Sequence, residues 1–355
     1  MESIRYKEEG ISIKAHPTPY TLHPKLINME KELTTTLSAT EIKRAIDAAM
    51  GMQCTIHAPG TVANLVCGFD ILGLALNDPS DIMTIKLIDQ PEVIIHNADD
   101  YNLPTDPKKN VAGVPLLDMI ERLDNQVGFD VTIEKKIKPG SGLGSSAASA
   151  AGGVVAANHL LGNIFSRHDL VQMAMLGERL ASGVKHADNI APCILGGVTL
   201  IRSILPLDII SIPSPPLYVT IVHPQIEVRT EDARQILRKQ ILLKDAIKQW
   251  GNIAGLVAGF MKGDYELISR SLEDVLIEPV RSILIPAFAE VKTRCIEAGA
   301  MGGGISGSGP SIFMLSRDEA TAYKVEDAMK KVYADTDISF YTYVTTVNTG
   351  GVKFL

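Results

Sequence analysis

The chain has 355 residues, 46% of them apolar and 21% charged, enough for a buried core in one large domain or two of ordinary size. Its formal charge of −7 argues against a nucleic-acid binder, which carries a basic surplus, but leaves room for a small anion held by a helix N-terminus. Cys54, Cys67, Cys193 and Cys295 stand apart from one another and from any histidine pair, as reduced thiols do, not disulfide or zinc ligands. No run of about 18 apolar residues marks a membrane span, and Met1 to Gly10 lacks an apolar secretory core. A cytoplasmic protein without membrane association is expected.

Met1 to Thr35 is polar, holds Pro17, Pro19 and Pro24, and shows no sustained period. Thr40 to Met50 reads as a short amphipathic helix, with Thr40 as N-cap and Gly51 beyond its end. The first core strand is placed near Met52. Gln53–Ala58, Ile82–Ile88, Glu92–His96 and Val131–Ile137 alternate like strands, and Val111–Leu123 has helical spacing. A glycine-rich loop then opens a long small-residue helix, Ala147–Leu161, followed by a helix at Leu170–Ser182. Ser203–Pro216, with four prolines, reads as a crossing between domains. Beyond it come a strand at Leu217–His223 and helices at Glu231–Leu242, Lys244–Met261, Tyr265–Val275 and Ala287–Ala298. A second glycine-rich loop (Gly302–Pro310), a strand at Ser311–Ser316, a helix at Glu319–Ala334 and closing strand-like segments complete the chain. Without a regular βαβ repeat, the class is α+β.

The loop Pro139-Gly140-Ser141-Gly142-Leu143-Gly144-Ser145-Ser146 leaves a strand and opens a helix. Its glycines let the backbone approach a ligand, and the helix behind it offers unpaired N–H groups and a positive dipole end to phosphate. No Gly-Lys step follows, so it is not a Walker loop. Gly142-x-Gly144-x-x-Ala147 fits a dinucleotide fingerprint, but the acidic residue due about 20 positions on, at a strand end, is missing. A plain tight turn is the remaining alternative. The second loop matches GxGxxG in the wrong order, helix first and strand after, and reads as a turn permitting close approach. No HExxH or nucleophile elbow occurs.

Three ordered segments carry more. Pro59-Gly-Thr-Val-Ala-Asn64-Leu-Val-Cys-Gly68-Phe69-Asp70, Pro139–Ala148 and Gly304-Ile-Ser-Gly-Ser-Gly-Pro310 resemble the three motifs of the GHMP kinases over roughly residues 52 to 355. Five further segments are most similar to the homoserine kinases within that superfamily: Asn64–Gly73, Pro104–Gly113, Gly183–Asn189, Arg229–Arg234 and Ile277–Arg281. Val66 stands where many relatives have glycine, and residues 1–51 precede the usual family start.

The resemblance implies three regions: an extension at 1–51, loosely ordered with one short helix; an ATP-binding domain at 52–210 like the second domain of ribosomal protein S5; and a ferredoxin-like domain at 211–355. It implies an ATP-dependent kinase of threonine biosynthesis, homodimeric, phosphorylating the homoserine hydroxyl, with the active site between the domains. In that reading Pro139, Gly140, Ser141, Gly142, Leu143, Gly144, Ser145 and Ser146 wrap the ATP phosphates, Asn110 helps bind the nucleotide, and Ser146 and Glu178 hold Mg²⁺. Asp70 takes the substrate ammonium beside Asn64. Arg234 and Arg281 take the carboxylate, a group that guanidinium binds bidentately. His186, Asn189 and Thr230 complete the pocket, with Asn64, His186, Asn189 and Arg234 closest to catalysis. The bland alternatives are a solvated helix carboxylate for Glu178, an i,i+3 pair with Glu231 for Arg234, and a satisfied core histidine for His186. Asn189 stands where some relatives hold an acid, so no side-chain base is expected. Phosphoryl transfer tolerates that, because positioning and charge neutralisation dominate it. The rival readings are a kinase for mevalonate or shikimate, a non-catalytic ligand sensor and, remotely, a nicotinamide-dependent dehydrogenase.

Overall fold

The computed structural model describes residues 38–355; the reading of Met1 to Thr35 lies outside them. Helix α1 (Ala39–Ala49) is capped by Ser38, not Thr40. The Ser38 side chain accepts from Glu41 N while the Glu41 carboxylate accepts from Ser38 N, a reciprocal capping box. Ile46 and Ala49 are buried, and the Gly51 N–H donates to Leu87 O, so this part of the expected extension is packed.

The first sheet is built on a long antiparallel pair, β1 (Gln53–Ala63) and β2 (Leu72–Ile88), whose register shifts between Pro59 and Thr61. Strand β4 (Gly128–Glu134) pairs with β2, and β3 (Val93–Asn97) runs parallel to β4. Helix α2 (Gly113–Arg122) lies between β3 and β4 in the chain. Helix α3 (Ser145–Leu160) is buried nearly all round because Ala and Gly dominate it: a Cβ added at Gly152 would come 2.6 Å from Met83 Sδ. Helices α4 (Arg167–Ser182) and α5 (Ile190–Leu195) pack on α3.

Sequence reading took Ser203–Pro216 as the interdomain crossing. Instead β5 (Val198–Ile204) and β6 (Leu207–Ile212) form a hairpin there, and β5 pairs with the start of β2. The Leu205-Pro206 step that looked like a linker is the hairpin turn. Residues 213–217 carry the chain to the second sheet. That sheet is antiparallel, in the order β10 (Phe340–Thr346), β7 (Tyr218–Pro224), β9 (Ile312–Ser316), β8 (Gly302–Ile305). Gly302–Ile305, read as loop, is therefore a strand; three glycines hide its alternation. Helices α10 (Phe288–Glu297) and α11 (Glu319–Ala334) cover the sheet around a core of Val222, Phe288, Val291, Ile312, Met314, Met329 and Tyr333. Between β7 and α10 lie α6 (Thr230–Gln235), α7 (Leu243–Lys262), α8 (Tyr265–Ser271) and the single turn α9 (Glu278–Arg281). The helices expected at Glu231–Leu242 and Tyr265–Val275 are thus shorter. The last strand, β11 (Lys353–Phe354), returns to pair with β1.

Candidate active site

The three glycine-bearing segments meet. At Gly142 the chain has φ +80°, and a Cβ there would lie 2.6 Å from Ser306 O and 2.7 Å from Gly309 O. The Ser306 hydroxyl donates to Gly142 O at 2.7 Å, the Ser311 N–H to Ser141 O and the Gly307 N–H to Ala63 O. The second glycine loop is the surface against which the first one closes. Gly144, at φ +68°, precedes α3, and a Cβ there would meet Thr61 Oγ1 at 2.0 Å. No side chain caps α3, so its first N–H groups and dipole remain available to an anion.

Above this loop is a cleft of about 310 Å³. Asn64, Asp70, Pro139, Gly140, Gly142, Gly144, Ser145, Ser146, Glu178, His186, Asn189, Thr230, Arg234 and Arg281 line it. Three expected residues do not. Ser141 and Leu143 are buried beneath the loop, the Ser141 hydroxyl accepting from the Leu143 N–H. The Asn110 amide is committed to main chain: Nδ2 donates to Pro104 O at 2.7 Å, and Oδ1 accepts from Ala112 N and Gly113 N. Asn110 therefore shapes the start of α2.

At one end, Ser146 Oγ donates to Glu178 Oε2 at 2.9 Å, and burial raises the Glu178 pKa, with the Ser146 bond opposing. Among the described residues no group of three or more His, Cys, Asp or Glu forms an all-protein metal cage. A hydroxyl and one carboxylate instead suit Mg²⁺, which keeps waters and takes phosphate oxygens; a cation there would offset the charge that burial disfavours. Ser145, the neighbouring serine, turns away and donates to Ile137 O.

At the other end, Arg234 forms a bidentate pair with Asp70, Nη2 to Oδ1 at 2.7 Å and Nη1 to Oδ2 at 3.2 Å. The i,i+3 alternative fails because Glu231 accepts from Gln235 instead. Arg281 is fixed by main chain, Nε donating to Ala233 O and Nη1 to Gly307 O. Both guanidinium groups stack on Phe69, at 5.4 and 4.7 Å from its centroid. Burial and then the neighbouring Arg234 charge lower the Arg281 pKa to about 10. Two crowded, partly desolvated cations facing a cleft favour a bound carboxylate.

Asp70 sits at φ +63°, in a turn that also holds Asn64, Leu65 and Val66 at positive φ. A β-branched valine there is strained. The Asn64 side chain holds the turn, accepting from Asp70 N at 3.1 Å and donating to Gly307 O at 2.8 Å. His186 lies 3.7 Å from Asp70 through Nδ1, its Nε2 buried without a hydrogen-bond partner among the described residues. Burial depresses its pKa, with Asp70 opposing, so the ring is neutral at pH 7. Asn189 Oδ1 accepts from Thr61 Oγ1 at 2.7 Å, and Thr230 Oγ1 donates to Ser308 Oγ at 3.3 Å.

Sequence reading gave three contributors no role in the site. Phe69 is the platform for both arginines. Asp188 is in the cleft wall, its carboxyl pushed up to about 7 by burial and then by the charges of Asp70 and Glu178. Lys135 pairs with Asp81 in the interior and donates to Ser145 O at 2.7 Å and Ser149 Oγ at 2.9 Å. Asp81 also accepts the N–H groups of Lys136 and Ile137. This pair ties β2 and the end of β4 to the first turn of α3. Its signal was present: in the alternation Phe129, Val131, Ile133, Lys135, Ile137, a lysine takes an inward position.

Residues 113–197 match the family described as GHMP kinases N terminal domain, and residues 256–335 match GHMP kinases C terminal. A homoserine kinase of Chloroherpeton thalassium is 47% identical over 294 residues, spanning 79% of this chain and 92% of its own. One from Methanocella arvoryzae is 38% identical over 296 residues, with 83% and 95% covered. The crystal structure of homoserine kinase from Cytophaga hutchinsonii matches with a TM-score of 0.82 at 49% identity, covering 85% of this chain and 97% of that one. The chain belongs to the homoserine kinase family of the GHMP kinases.

Proposed function

We propose that the protein transfers the γ-phosphoryl group of ATP to the side-chain hydroxyl of L-homoserine, giving O-phosphohomoserine in threonine biosynthesis. One observation carries this reading. A single cleft joins a phosphate-type loop with Ser146 and Glu178 at one end to Asp70, Arg234 and Arg281 at the other. Homoserine needs both halves of the second set. Its carboxylate suits the two guanidinium groups and its ammonium suits Asp70, so the zwitterion replaces the internal Asp70–Arg234 pairing charge for charge. Mevalonate and shikimate carry no ammonium to match Asp70.

Gly140, Gly142, Gly144 and the N-terminus of α3 hold the ATP phosphates, and Ser146 and Glu178 would hold Mg²⁺, whose charge would offset that of the phosphate oxygens. Thr230 and Arg234, four apart on α6, face the same side and orient the amino acid with His186 and Asn189. The hydroxyl oxygen forms the new bond to γ-phosphorus as the bond to the β,γ-bridging oxygen breaks and ADP leaves. Asn189 cannot take the hydroxyl proton, which leaves through the phosphate or water. The protein acts in the cytoplasm on small molecules alone, with no nucleic-acid or membrane partner, and assembles as a homodimer. No helix among the described residues is long and apolar enough to cross a membrane.

The test is ADP release from MgATP with homoserine, mevalonate, shikimate and galactose offered separately. Turnover with homoserine alone is expected. No turnover with homoserine from folded, ATP-binding protein would sink the reading and favour another acceptor or a ligand sensor.

A further inference from the structure

Helix α7 (Leu243–Lys262) carries more apolar surface than the other described residues cover. Ala246, Gln249, Leu256, Gly259 and Phe260 face the interior. A second stripe, Leu243, Ile247, Trp250, Ala254, Val257 and Met261, lies beside that face at spacings of four, three, four, three and four. Leu243 is 68% exposed, Ile247 57%, Trp250 58% and Met261 63%; Ala254 is exposed and Val257 half-buried. Alternating steps of three and four are the signature of a helix seam that packs on another helix. None of these residues takes part in the cleft.

We propose that this stripe is the docking surface for a second copy of the chain, the two α7 helices crossing antiparallel about a two-fold axis. This rests on the homodimer reading above and names where that dimer forms. The pattern is self-complementary, as a two-fold interface requires. Antiparallel pairing about the stripe's midpoint sets Leu243 opposite the partner's Met261, Ile247 opposite the partner's Val257 and Trp250 opposite the partner's Ala254. The largest side chain thus meets the smallest. Gly251 stands beside Trp250, and a Cβ there would touch no described residue within 4 Å, so the indole has room and the helices can approach closely. Antiparallel packing also sets opposite dipole ends side by side.

Area agrees. The exposed side chains present on the order of 500 Å², the upper end for the largest apolar patch on a monomer. That is well over half of the roughly 800 Å² each partner gives a stable interface, and exposed Ile241 and Leu242 extend the patch at its N-terminal end. A lipid surface is the poorer occupant, since a net charge of −7 opposes anionic headgroups.

The experiment is light scattering of the full-length protein across micromolar concentrations, with circular dichroism to confirm folding. Wild type is expected at twice the chain mass. W250E should weaken association by at least about tenfold, as for a central aromatic anchor, and keep MgATP-dependent turnover. A254W should also weaken it, by crowding the partner's Trp250, and the swap W250A/A254W should restore it. A wild-type monomer would overturn both the interface and the homodimer reading. A dimer untouched by W250E and A254W would overturn the interface alone.

Discussion

Burial keeps the Asp188 carboxyl protonated up to about pH 7, far above an unfolded carboxyl, so its effect on stability has a definite sign. The folded state binds the proton more tightly than the unfolded one. That contribution is complete below the unfolded pKa and is lost as pH rises through about 7. Thermal melts of Asp188→Asn and wild type across pH 4 to 8 should diverge toward the alkaline end, the variant gaining relative stability; parallel curves would contradict the buried acid. The same variant tests the absence of a base. Turnover within about tenfold of wild type is expected from a loose transition state governed by positioning, whereas a loss of several orders with binding intact would make Asp188 the base. Arg234→Lys keeps the charge but loses the two-pronged geometry. Its KM for homoserine should rise at least about tenfold, as for loss of one charge-assisted hydrogen bond, with KM for ATP nearly unchanged; equal effects on both would remove Arg234 from the amino-acid end. The polar residues of this site were legible because each stands in a motif. Phe69 was not singled out, since its role depends on two arginines more than 160 positions away.

At the scale of elements, the strand–loop–helix from β4 to α3 shows what local patterning conveys. The glycines at 140, 142 and 144 announced a loop that brings backbone close to a ligand, and all three have positive φ. What they approach is set by the second glycine loop, far along the chain. Gly142→Ala forces a Cβ onto the carbonyl oxygens of Ser306 and Gly309 in a backbone region that disfavours it. A loss of about 1–3 kcal/mol in urea unfolding, with a raised KM for ATP, is expected; an unchanged melt would show that the loops are not clasped. Lys135→Met leaves the buried Asp81 carboxylate without its counter-charge, a defect of about 3–5 kcal/mol. Pairing that change with Asp81→Leu should recover much of the loss, and failure to recover would show that the pair's hydrogen bonds, from Lys135 to Ser145 and Ser149 and from the Lys136 and Ile137 N–H groups to Asp81, matter more than its charge. Turn chemistry misled where proline ended one element without ending the sheet, as at Leu205-Pro206, and where glycine-rich β8 showed no alternation.

For the molecule as a whole, the cleft takes its phosphate-side walls from the loop and helices of the first sheet, and its arginines from α6 and α9 beside the second. A ligand spanning it contacts both, so ligation should raise the stability of the whole transition. At a hundredfold excess over its dissociation constant a ligand adds about 2.7 kcal/mol. MgATP with homoserine should therefore shift a single calorimetric transition upward, and shift the Glu178→Gln variant much less. Two separate transitions, only one of them moved, would mean that the sheets unfold independently.

The sequence by itself determined the class, the family and nearly every polar group of the site. Glycine loops and ordered motifs are local, and their chemistry survives without coordinates. Only the tertiary structure decided who partners whom. Arg234 turned from Glu231 to Asp70, Asn110 went to main chain, Asp188 became a buried acid, and the two glycine loops closed on each other. Those outcomes depend on burial and on contacts between residues far apart in the chain, which hydrophobic period and loop composition do not encode.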